Sequence, residues 1–285
     1  MVVCQPLPRL VAETAGLYFI HKPPGLAFHS TDDETGLLPR LRELGSLHEP
    51  LLPCHRLDRV TSGLMAVAKS REAASAMALL LRERRVHKYY VALAAGKPKK
   101  KQGRVIGDMA RSRRGQWMLT RERSNPAVTH FVSAALSEGG GCHAFLLKPA
   151  TGRTHQLRVA LKSLGAPVLG DPRYAASSAG CEARAYLHAA AMRLPGGWPS
   201  LTAGGRPCTV LCPPVGEAAG SRFVSAAFSA WWESTFEGAV SEPGGDAFYD
   251  SSLVGGLEYH SHEDDRDARG EVLSWFAGTP VASRF

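Results

Sequence analysis

The strongest constraint on the fold is that most of the apolar sequence comes in short runs typical of β-strands. Only residues 71–85 and 154–164 have apolar side chains at helical spacing. The strand-like runs, rich in aromatic and β-branched residues, are 17–21, 64–68, 87–95, 128–135, 143–149 and, within 180–212, AYLHAAAMRL and PCTVLC. Short strands separated by two helices predict an α+β domain with a mixed sheet.

The two helical segments differ in their boundary signals. Residues 71–85 (REAASAMALLLRERR) have charges at both ends of an apolar stretch. In the second segment three leucines between residues 157 and 164 share a face, and Gly165 is placed to end the helix. A helix that begins near Thr154 would present free N–H groups beside Arg153.

Charge divides the chain of 285 residues into two parts. Residues 233–285 contain 11 acidic and 3 basic residues, whereas residues 1–232 contain 31 basic and 15 acidic ones. A body of that sign attracts polyanions, and a nucleic-acid backbone is the commonest of these. The alternative is a basic protein without such a partner.

The cysteines and histidines give weak metal signals. The six cysteines form no CxxC pair, so reduced thiols in an intracellular compartment are the expectation; they are Cys4, Cys54, Cys142, Cys181, Cys208 and Cys212. A zinc site at Cys208 and Cys212, or a metal site at His260 and His262, is less favoured than ordinary thiols and tail histidines. The chain lacks a secretory-signal pattern and any run of about 18 apolar residues, so no membrane association is expected.

Residues 97–123 are the most basic segment. They include KPKKKQGR, RSRRGQW and TRER. Such a segment is either a solvated loop or hairpin, or an arm that follows phosphates with Trp117 as a stacking face. The phosphate-binding candidates are Lys99, Lys100, Lys101, Arg113 and Arg114.

Five segments together resemble one family. HRLDRVTSGLMAVAK at residues 55–69 resembles the HRLDxxTSGLLLxAK signature of the RluA-type pseudouridine synthases. The other four, in family order, are FIHKPPGLAFHS, HKYYVALAAG, TGRTHQLRVALKSLGAPVLGDPRY and YLHA. The resemblance covers residues 17–212 and implies a catalytic domain with a mixed, mostly antiparallel sheet, flanking helices and a central RNA-binding cleft.

The resemblance also implies a chemistry. A uridine in RNA is detached from its ribose, rotated and rejoined through carbon, without a metal or cofactor. Asp58 corresponds to the family's nucleophile, Arg158 to the arginine that pairs with it, and Tyr90 to the tyrosine that stacks on the base. A carboxylate suits this role, because it can form and break an ester-type bond while ionised. The structural alternatives are a plain ion pair at Asp58 and an ordinary strand aromatic at Tyr90, a role better suited to Tyr89 on the opposite strand face.

Other residues are implied in RNA contact. Arg56 corresponds to the arginine that enters the space left by the flipped uridine. The remaining RNA-binding candidates near the site are Thr61, Lys88, Arg153, His155 and Gln156. Thr61, Ser62 and Gly63 are expected to form the turn behind the nucleophile. Capping of the helix by Thr154, with Arg153 facing solvent, is the structural alternative.

The chain departs from the family pattern at a few positions. Ala160 stands where the family usually has histidine, and Met65 and Val67 replace the commoner leucines. About 16 residues precede the first motif, too few for a small S4-like RNA-binding domain. Substrate choice is therefore expected to come from the body, in particular from residues 97–123.

The sequence thus predicts a pseudouridine synthase domain over residues 1–232 and an acidic, mostly irregular appendage over 233–285. The expected partner is structured rRNA or tRNA, with no membrane and no metal, in a monomer. The acidic tail could bind a ribosomal or assembly partner, could fold back over the basic face as an RNA mimic, or could be an inert extension, the more common fate of such tails. The tail could dock through its aromatic residues Phe248, Tyr249, Trp275 and Phe276. The expected compartment is the cytoplasm, with an organelle such as the mitochondrion as alternative.

Two rival functions stay open. One is a catalytically idle RNA-binding factor for ribosome assembly that retains the fold; it has no physical need for Asp58, Tyr90 and Arg158 together. The other is a nucleoside hydrolase, which would need an activated water and a second acid, and the sequence offers no clear pair.

Overall fold

A computed structural model describes residues 7–136, 141–175, 182–214, 221–237 and 247–248. Its strands are β1 (Arg9–Glu13), β2 (Leu17–Lys22), β3 (Leu52–Pro53), β4 (Ser62–Ala68), β5 (His87–Ala95), β6 (Gln102–Gly107), β7 (Met109–Arg111), β8 (Trp117–Leu119), β9 (Ala127–Ala135), β10 (Cys142–Pro149), β11 (Leu187–Leu194), β12 (Cys208–Leu211) and β13 (Ala247–Phe248). The α-helices are α1 (Leu37–Arg42), α2 (Arg71–Arg82), α3 (Gln156–Ser163) and α4 (Ala226–Trp231). A π-helical segment, Trp232–Glu237, continues α4.

One mixed sheet organises the fold. Its main path runs β1-β2-β4-β11-β5-β10-β9-β6, with β3 on β4 and with β12 and β13 beside β11. Within the described residues the pairs β4–β11 and β12–β13 are parallel and the other pairs are antiparallel. The predicted α+β class with a mostly antiparallel sheet is confirmed.

The two faces of the sheet bury separate cores. Tyr90 belongs to the core that also contains α1, α2 and α3, whereas Tyr89 belongs to the opposite core with Phe228 and Trp231 of α4. The prediction that Tyr89 and Tyr90 point to opposite faces is confirmed, as the alternation of strand side chains requires.

The predicted elements are present with shifted ends. Helix α2 ends at Arg82, earlier than predicted, and Arg84 after it has a left-handed backbone with φ 59°. Helix α3 begins at Gln156 instead of Thr154, because His155 is left-handed with φ 57°. Gly165, with φ 76°, follows its last turn as predicted.

The sequence reasoning missed β1, α1 and α4 and found the basic segment. Residues 97–123 contain β6 and the β7–β8 hairpin, so the hairpin interpretation is confirmed and the phosphate-binding one stays a prediction. Helix α4 and the following π-helical segment occupy residues 226–237, where the appendage was expected to begin. Phe248 is described only through its backbone strand, and Tyr249, Trp275, Phe276, His260 and His262 lie outside the described residues.

A buried polar chain joins the parallel strands β4 and β11. The Ser62 hydroxyl lies 2.7 Å from His188 Nδ1 and accepts from Arg184 Nη2 at 2.5 Å. His188 Nε2 lies 2.7 Å from the Cys212 carbonyl oxygen. Since a carbonyl can only accept, Nε2 carries the proton and Nδ1 accepts from Ser62. A Cβ on Gly63, which has φ +108°, would lie 2.2 Å from the Ala189 oxygen, so only glycine fits there.

No helix in the described part of the chain is long and apolar enough to cross a membrane. Cys54, Cys142, Cys208 and Cys212 are free thiols, and Cys4 and Cys181 lie outside the described residues. Among the residues with described positions, no three His, Cys, Asp or Glu side chains are grouped to hold a metal ion.

Candidate active site

Asp58 opens a tight turn that leads into strand β4. The Thr61 N–H donates to the Asp58 carbonyl at 3.0 Å, which closes a turn through Arg59 and Val60. Ser62 and Gly63 already belong to β4, so the prediction that they form this turn is wrong. Their pairing with β11 makes them part of the sheet, and only Thr61 remains at the turn.

The segment Lys22 to Leu26 stabilises this turn through hydrogen bonds to its backbone. The buried Lys22 Nζ donates to the carbonyls of Pro23 and Leu26 at 2.9 Å and of Arg59 at 3.2 Å. The Gly25 N–H donates to the same Arg59 carbonyl at 2.8 Å. Burial lowers the pKa of Lys22 to about 7, partly offset by the charge of Asp58. The turn is therefore fixed by a second, non-local loop.

Arg158 joins two carboxylates. Its Nη1 donates to Asp58 Oδ2 at 3.2 Å, so the predicted pair is present. Its Nε and Nη2 donate to the two oxygens of Asp171 at 2.6 and 2.8 Å. Burial alone would lower the pKa of Arg158, but the hydrogen bonds and charge of Asp171, followed by those of Asp58, raise it. The side chains of Arg158, Asp58 and Asp171 are 3%, 24% and 0% exposed, so only Asp58 is open to a ligand.

Asp171 is a site residue that the sequence reasoning missed. It lies in the GDPRY segment and received no role there. Its fork-to-fork contact fixes the plane of the Arg158 guanidinium and leaves Nη1 to point at Asp58. The signal that could have identified it is the need of a buried arginine for more than one acceptor.

Tyr174 connects α3 to the β7–β8 hairpin. Its hydroxyl oxygen accepts from the Trp117 N–H at 2.9 Å and lies 2.8 Å from His155 Nδ1. Its ring lies 4.9 Å from the Arg158 guanidinium. His155 has a lowered pKa, first because of burial, and stays neutral. Tyr174 thus links the hairpin to the start of α3 and to the arginine of the site.

The open side of Asp58 faces a cavity of about 280 Å³. Leu57, Tyr90, Leu157 and Leu187 supply its apolar wall. Burial, with a smaller effect from the Asp58 charge, raises the pKa of Tyr90 above its usual value, so the phenol keeps its proton. The cavity therefore combines a paired carboxylate, a neutral phenol and apolar surface, which suits a flat uncharged base.

Gln156 holds the loop at the start of α3. Its Oε1 accepts from Thr151 Oγ1 at 2.8 Å and from the Arg153 N–H at 3.0 Å. Its Nε2 donates to the Val128 carbonyl at 3.0 Å and to Thr129 Oγ1 at 2.9 Å. Both polar atoms are used within the protein. Gln156 lines the cavity, yet its contact with RNA stays a prediction.

Two arginines lie at the rim of the cavity. Arg56 Nη2 donates to Thr154 Oγ1 at 3.1 Å, which joins the segment that contains Asp58 to the loop before α3. Arg153 donates to the Asn125 side-chain oxygen. Thr154 makes no capping bond to α3, so the capping alternative is wrong, whereas the exposed position of Arg153 is observed.

The structure divides the predicted RNA-binding residues into two groups. Those that line the cavity are Arg56, Thr61, Lys88, Arg153, His155 and Gln156. Lys99, Lys100 and Lys101 follow β5, where the Lys99 N–H donates to the Leu164 carbonyl at 2.8 Å beyond the far end of α3. Arg113 and Arg114 lie at the tip of the β7–β8 hairpin, where Arg173 Nη1 donates to the Arg114 and Gly115 carbonyls. The second group does not line the cavity.

The arrangement suits covalent catalysis by one carboxylate. Asp58 is the only carboxylate among the described residues that line the cavity. Asp171 is buried behind Arg158 and has both oxygens engaged. A hydrolytic mechanism with two facing carboxyl groups has no second group here.

Comparison with known proteins gives consistent matches. The family model described as RNA pseudouridylate synthase matches residues 16–163. An uncharacterized RNA pseudouridine synthase of Haemophilus influenzae is 42% identical over 181 residues, which are 64% of this chain and 79% of that protein. The mitochondrial pseudouridylate synthase RPUSD4 of Xenopus tropicalis is 34% identical over 195 residues, covering 58% of this chain and 60% of that protein.

A solved structure gives the same result for the fold. The human RNA pseudouridylate synthase domain containing 1 superposes with a TM-score of 0.57 at 30% identity, covering 66% of this chain and 78% of that chain. The matched region spans between 49% and 61% of the length of six further curated relatives.

Proposed function

We infer, because this chain belongs to the RNA pseudouridylate synthase family, that it isomerises specific uridines of rRNA or tRNA to pseudouridine with Asp58 as the nucleophile. The observation that carries the proposal is the Asp58–Arg158 pair in a cavity that Tyr90 also lines. Arg158 orients the carboxylate, and the exposed part of Asp58 is available for a covalent bond.

The proposed reaction is an internal rearrangement. Asp58 forms a covalent bond with either the sugar carbon or the base, and the N–C glycosidic bond breaks. The base rotates, a C–C bond to the sugar forms, and the bond to Asp58 breaks. The carbon that joins the sugar loses a proton and the released ring nitrogen gains one, so atoms and charge balance without a redox partner. Tyr90 stacks on the base during these steps.

The target uridine must leave its stack to reach Asp58, and this costs a few kcal/mol. Arg56 is proposed to offset part of that cost by entering the vacated space, since it lies at the rim and is exposed. Single-stranded loops present such bases most readily, so we propose a structured RNA read through a loop.

The assignments outside the site are also proposals. Residues 1–232 form the catalytic part, and the acidic residues 233–285 recruit a ribosomal or assembly partner. We propose a monomer that acts in the cytoplasm; the mitochondrial relative makes an organelle the alternative compartment.

The test maps pseudouridine by carbodiimide-based sequencing of total RNA. Cells carry the wild-type chain, Asp58→Ala, the control Asp33→Ala, or no protein; Asp33 is exposed, lies outside the five motifs and does not line the cavity. A site present with wild type and Asp33→Ala but absent from the other two cells supports the proposal. RNA bound and protected without any changed site would favour the idle assembly factor.

A further inference from the structure

A second cavity, of about 410 Å³, adjoins the catalytic one. The two cavities share six lining residues: His55, Lys88, Pro149, Thr151, Gly152 and Arg153. The far wall of the second cavity comes from the end of α2, from Lys148 of β10 and from His130 of β9. A ligand can therefore extend from one cavity into the other without leaving the protein surface.

The side chains around the second cavity are basic. Its lysines, arginines and histidines are Arg82, Arg84, Lys88, Lys148, Arg153, His55, His87 and His130. No described Asp or Glu lines it. A concave surface with charges of one sign and protein walls concentrates the field, so this cavity is a strong attractor for anions.

Burial and neighbouring cations weaken the charged forms of several side chains that line the cavity. Burial, followed by the charge of Arg193, lowers the pKa of Lys148 to about 8. Burial lowers the pKa of Lys88, and burial together with Arg104 and Lys148 lowers that of His130. A bound anion would reverse these shifts by stabilising the charged forms.

Lys88 lies at the junction of the two cavities and lines both. Its ammonium makes no hydrogen bond or ion pair with another side chain of the described residues, although it is partly buried. A Cβ added at Gly152 would lie 3.9 Å from Lys88 Nζ, so the loop runs directly past the ammonium. A partly buried cation without a partner is costly, and a phosphate at the junction would remove that cost.

We propose that the second cavity is a phosphate-binding compartment for single-stranded RNA, which holds the phosphodiester groups adjoining the flipped uridine. The phosphate nearest the target nucleotide binds at Lys88, and the next one binds between the end of α2 and Lys148. The compartment rests on the proposed function of the catalytic cavity. It adds Arg82, Arg84, His87, His130 and Lys148 to the residues predicted from the sequence.

The size of the cavity supports this choice of ligand. Its volume is within the range of about 300 to 1,000 Å³ that single small ligands occupy, which suits about one nucleotide with its phosphates. An extended strand places consecutive phosphates along such a groove, whereas a stacked duplex keeps them on its outer surface.

The test compares two variants of equal charge. The double variant Arg82→Gln/Arg84→Gln removes two exposed arginines that line the compartment. The control Arg71→Gln/Arg85→Gln removes two exposed arginines near the two ends of the same helix that line neither cavity. The dissociation constant of the full-length protein for a fluorescein-labelled 12-nucleotide oligouridylate is measured by anisotropy at several salt concentrations.

We expect the compartment variant to bind about tenfold or more weakly than the control, with a salt slope smaller by about 0.7 for each lost phosphate contact. Equal affinities and slopes in the two variants would overturn the proposal, as would failure of the wild type to bind the oligonucleotide.

Pseudouridine formation on unmodified rRNA and tRNA transcripts is measured in parallel. If the wild type forms none while the variants still differ in binding, the proposed enzyme activity fails and the compartment stands. If it forms pseudouridine and the variants bind alike, the compartment alone fails.

Discussion

The two cavities of the cleft share a wall but differ in the charges of the side chains that line them. In the catalytic cavity Asp58 and Arg158 are paired, since Arg158 binds both Asp58 and Asp171. In the second cavity cations meet without any acidic lining residue among those described. The pKa of Arg158 is raised, whereas those of Lys88 and Lys148 are lowered. The ion pair orients the Asp58 carboxylate, whereas Lys88, which has no side-chain partner among the described residues, is available to a ligand.

Replacing Asp58 by asparagine should give the largest difference between the roles of the two cavities, because it should affect catalysis but not RNA binding. The side chain keeps its shape but loses the negative charge that the proposed covalent step requires, so we expect the rate of pseudouridine formation to fall by about 10⁴-fold or more. Affinity for the oligouridylate should stay the same or increase, because a negative charge leaves a basic cleft. Single-turnover kinetics and anisotropy measure the two quantities. A large loss of affinity would show that Asp58 serves RNA binding, which would contradict the division of catalysis and binding between the two cavities.

Asp171→Asn should disturb the catalytic cavity by weakening the contact that holds Arg158 in place. The amide places an N–H₂ group against the donors of Arg158 and leaves a buried guanidinium short of one charge, which costs about 3 to 5 kcal/mol of unfolding free energy. Catalysis should fall by about 100-fold as Arg158 loses its orientation. Urea unfolding measures the stability. Asp108→Asn is the control, because Asp108 accepts from the Ser124 and Asn125 N–H groups at 3.0 Å and lines neither cavity; it should cost about 1 kcal/mol.

Lys88→Met should have the reverse effect on stability. Removal of a partly buried ammonium that lacks a side-chain partner among the described residues should raise the unfolding free energy, while the dissociation constant for RNA rises about 10- to 100-fold. Lys69→Met is the matched control, because Lys69 donates to Glu13 and to the Thr14 carbonyl. It should destabilise the protein and leave RNA binding unchanged. A less stable Lys88→Met protein would contradict the interpretation of Lys88 as a charge kept for its ligand.

The smallest expected effect is a pH dependence of binding. Lys148, which faces His130, Arg193 and the Tyr89 ring, has a pKa of about 8 without RNA. A phosphate favours the ammonium, so binding takes up a proton and affinity should fall about three- to tenfold as pH rises from about 7 to 9. Anisotropy at constant ionic strength tests this. Affinity that stays level or rises over this range would place the phosphate away from Lys148.

Much of the fold could be predicted because its signals are local. The strand β5 and the helix α2 have composition and spacing that need no tertiary contact to interpret. The end of α2 before Arg84 and the start of α3 after His155 could not be predicted. Both residues adopt a left-handed backbone that non-glycine residues seldom take.

The site divides along the same line. Asp58, Arg158 and Tyr90 were predicted through a resemblance carried by contiguous motifs, and the structure places them around one cavity. Asp171 lies within a motif, but its contact with Arg158 depends on how the chain returns after α3. The second cavity is lined by residues from four separate segments, so no single stretch of sequence predicts it.

The position of β11 determines when this site can exist. Asp58 precedes β4 and Tyr90 lies in β5, yet these strands are separated by β11, which is formed by residues 187–194. The pair Asp58–Arg158 spans 100 residues, and the Ser62–His188 contact spans 126. Such high contact order makes closure of the sheet a late folding event. A nascent chain should therefore have no competent active site until about residue 194 has left the ribosome. In refolding experiments, pseudouridine formation should return after the helical circular dichroism of local segments such as α2.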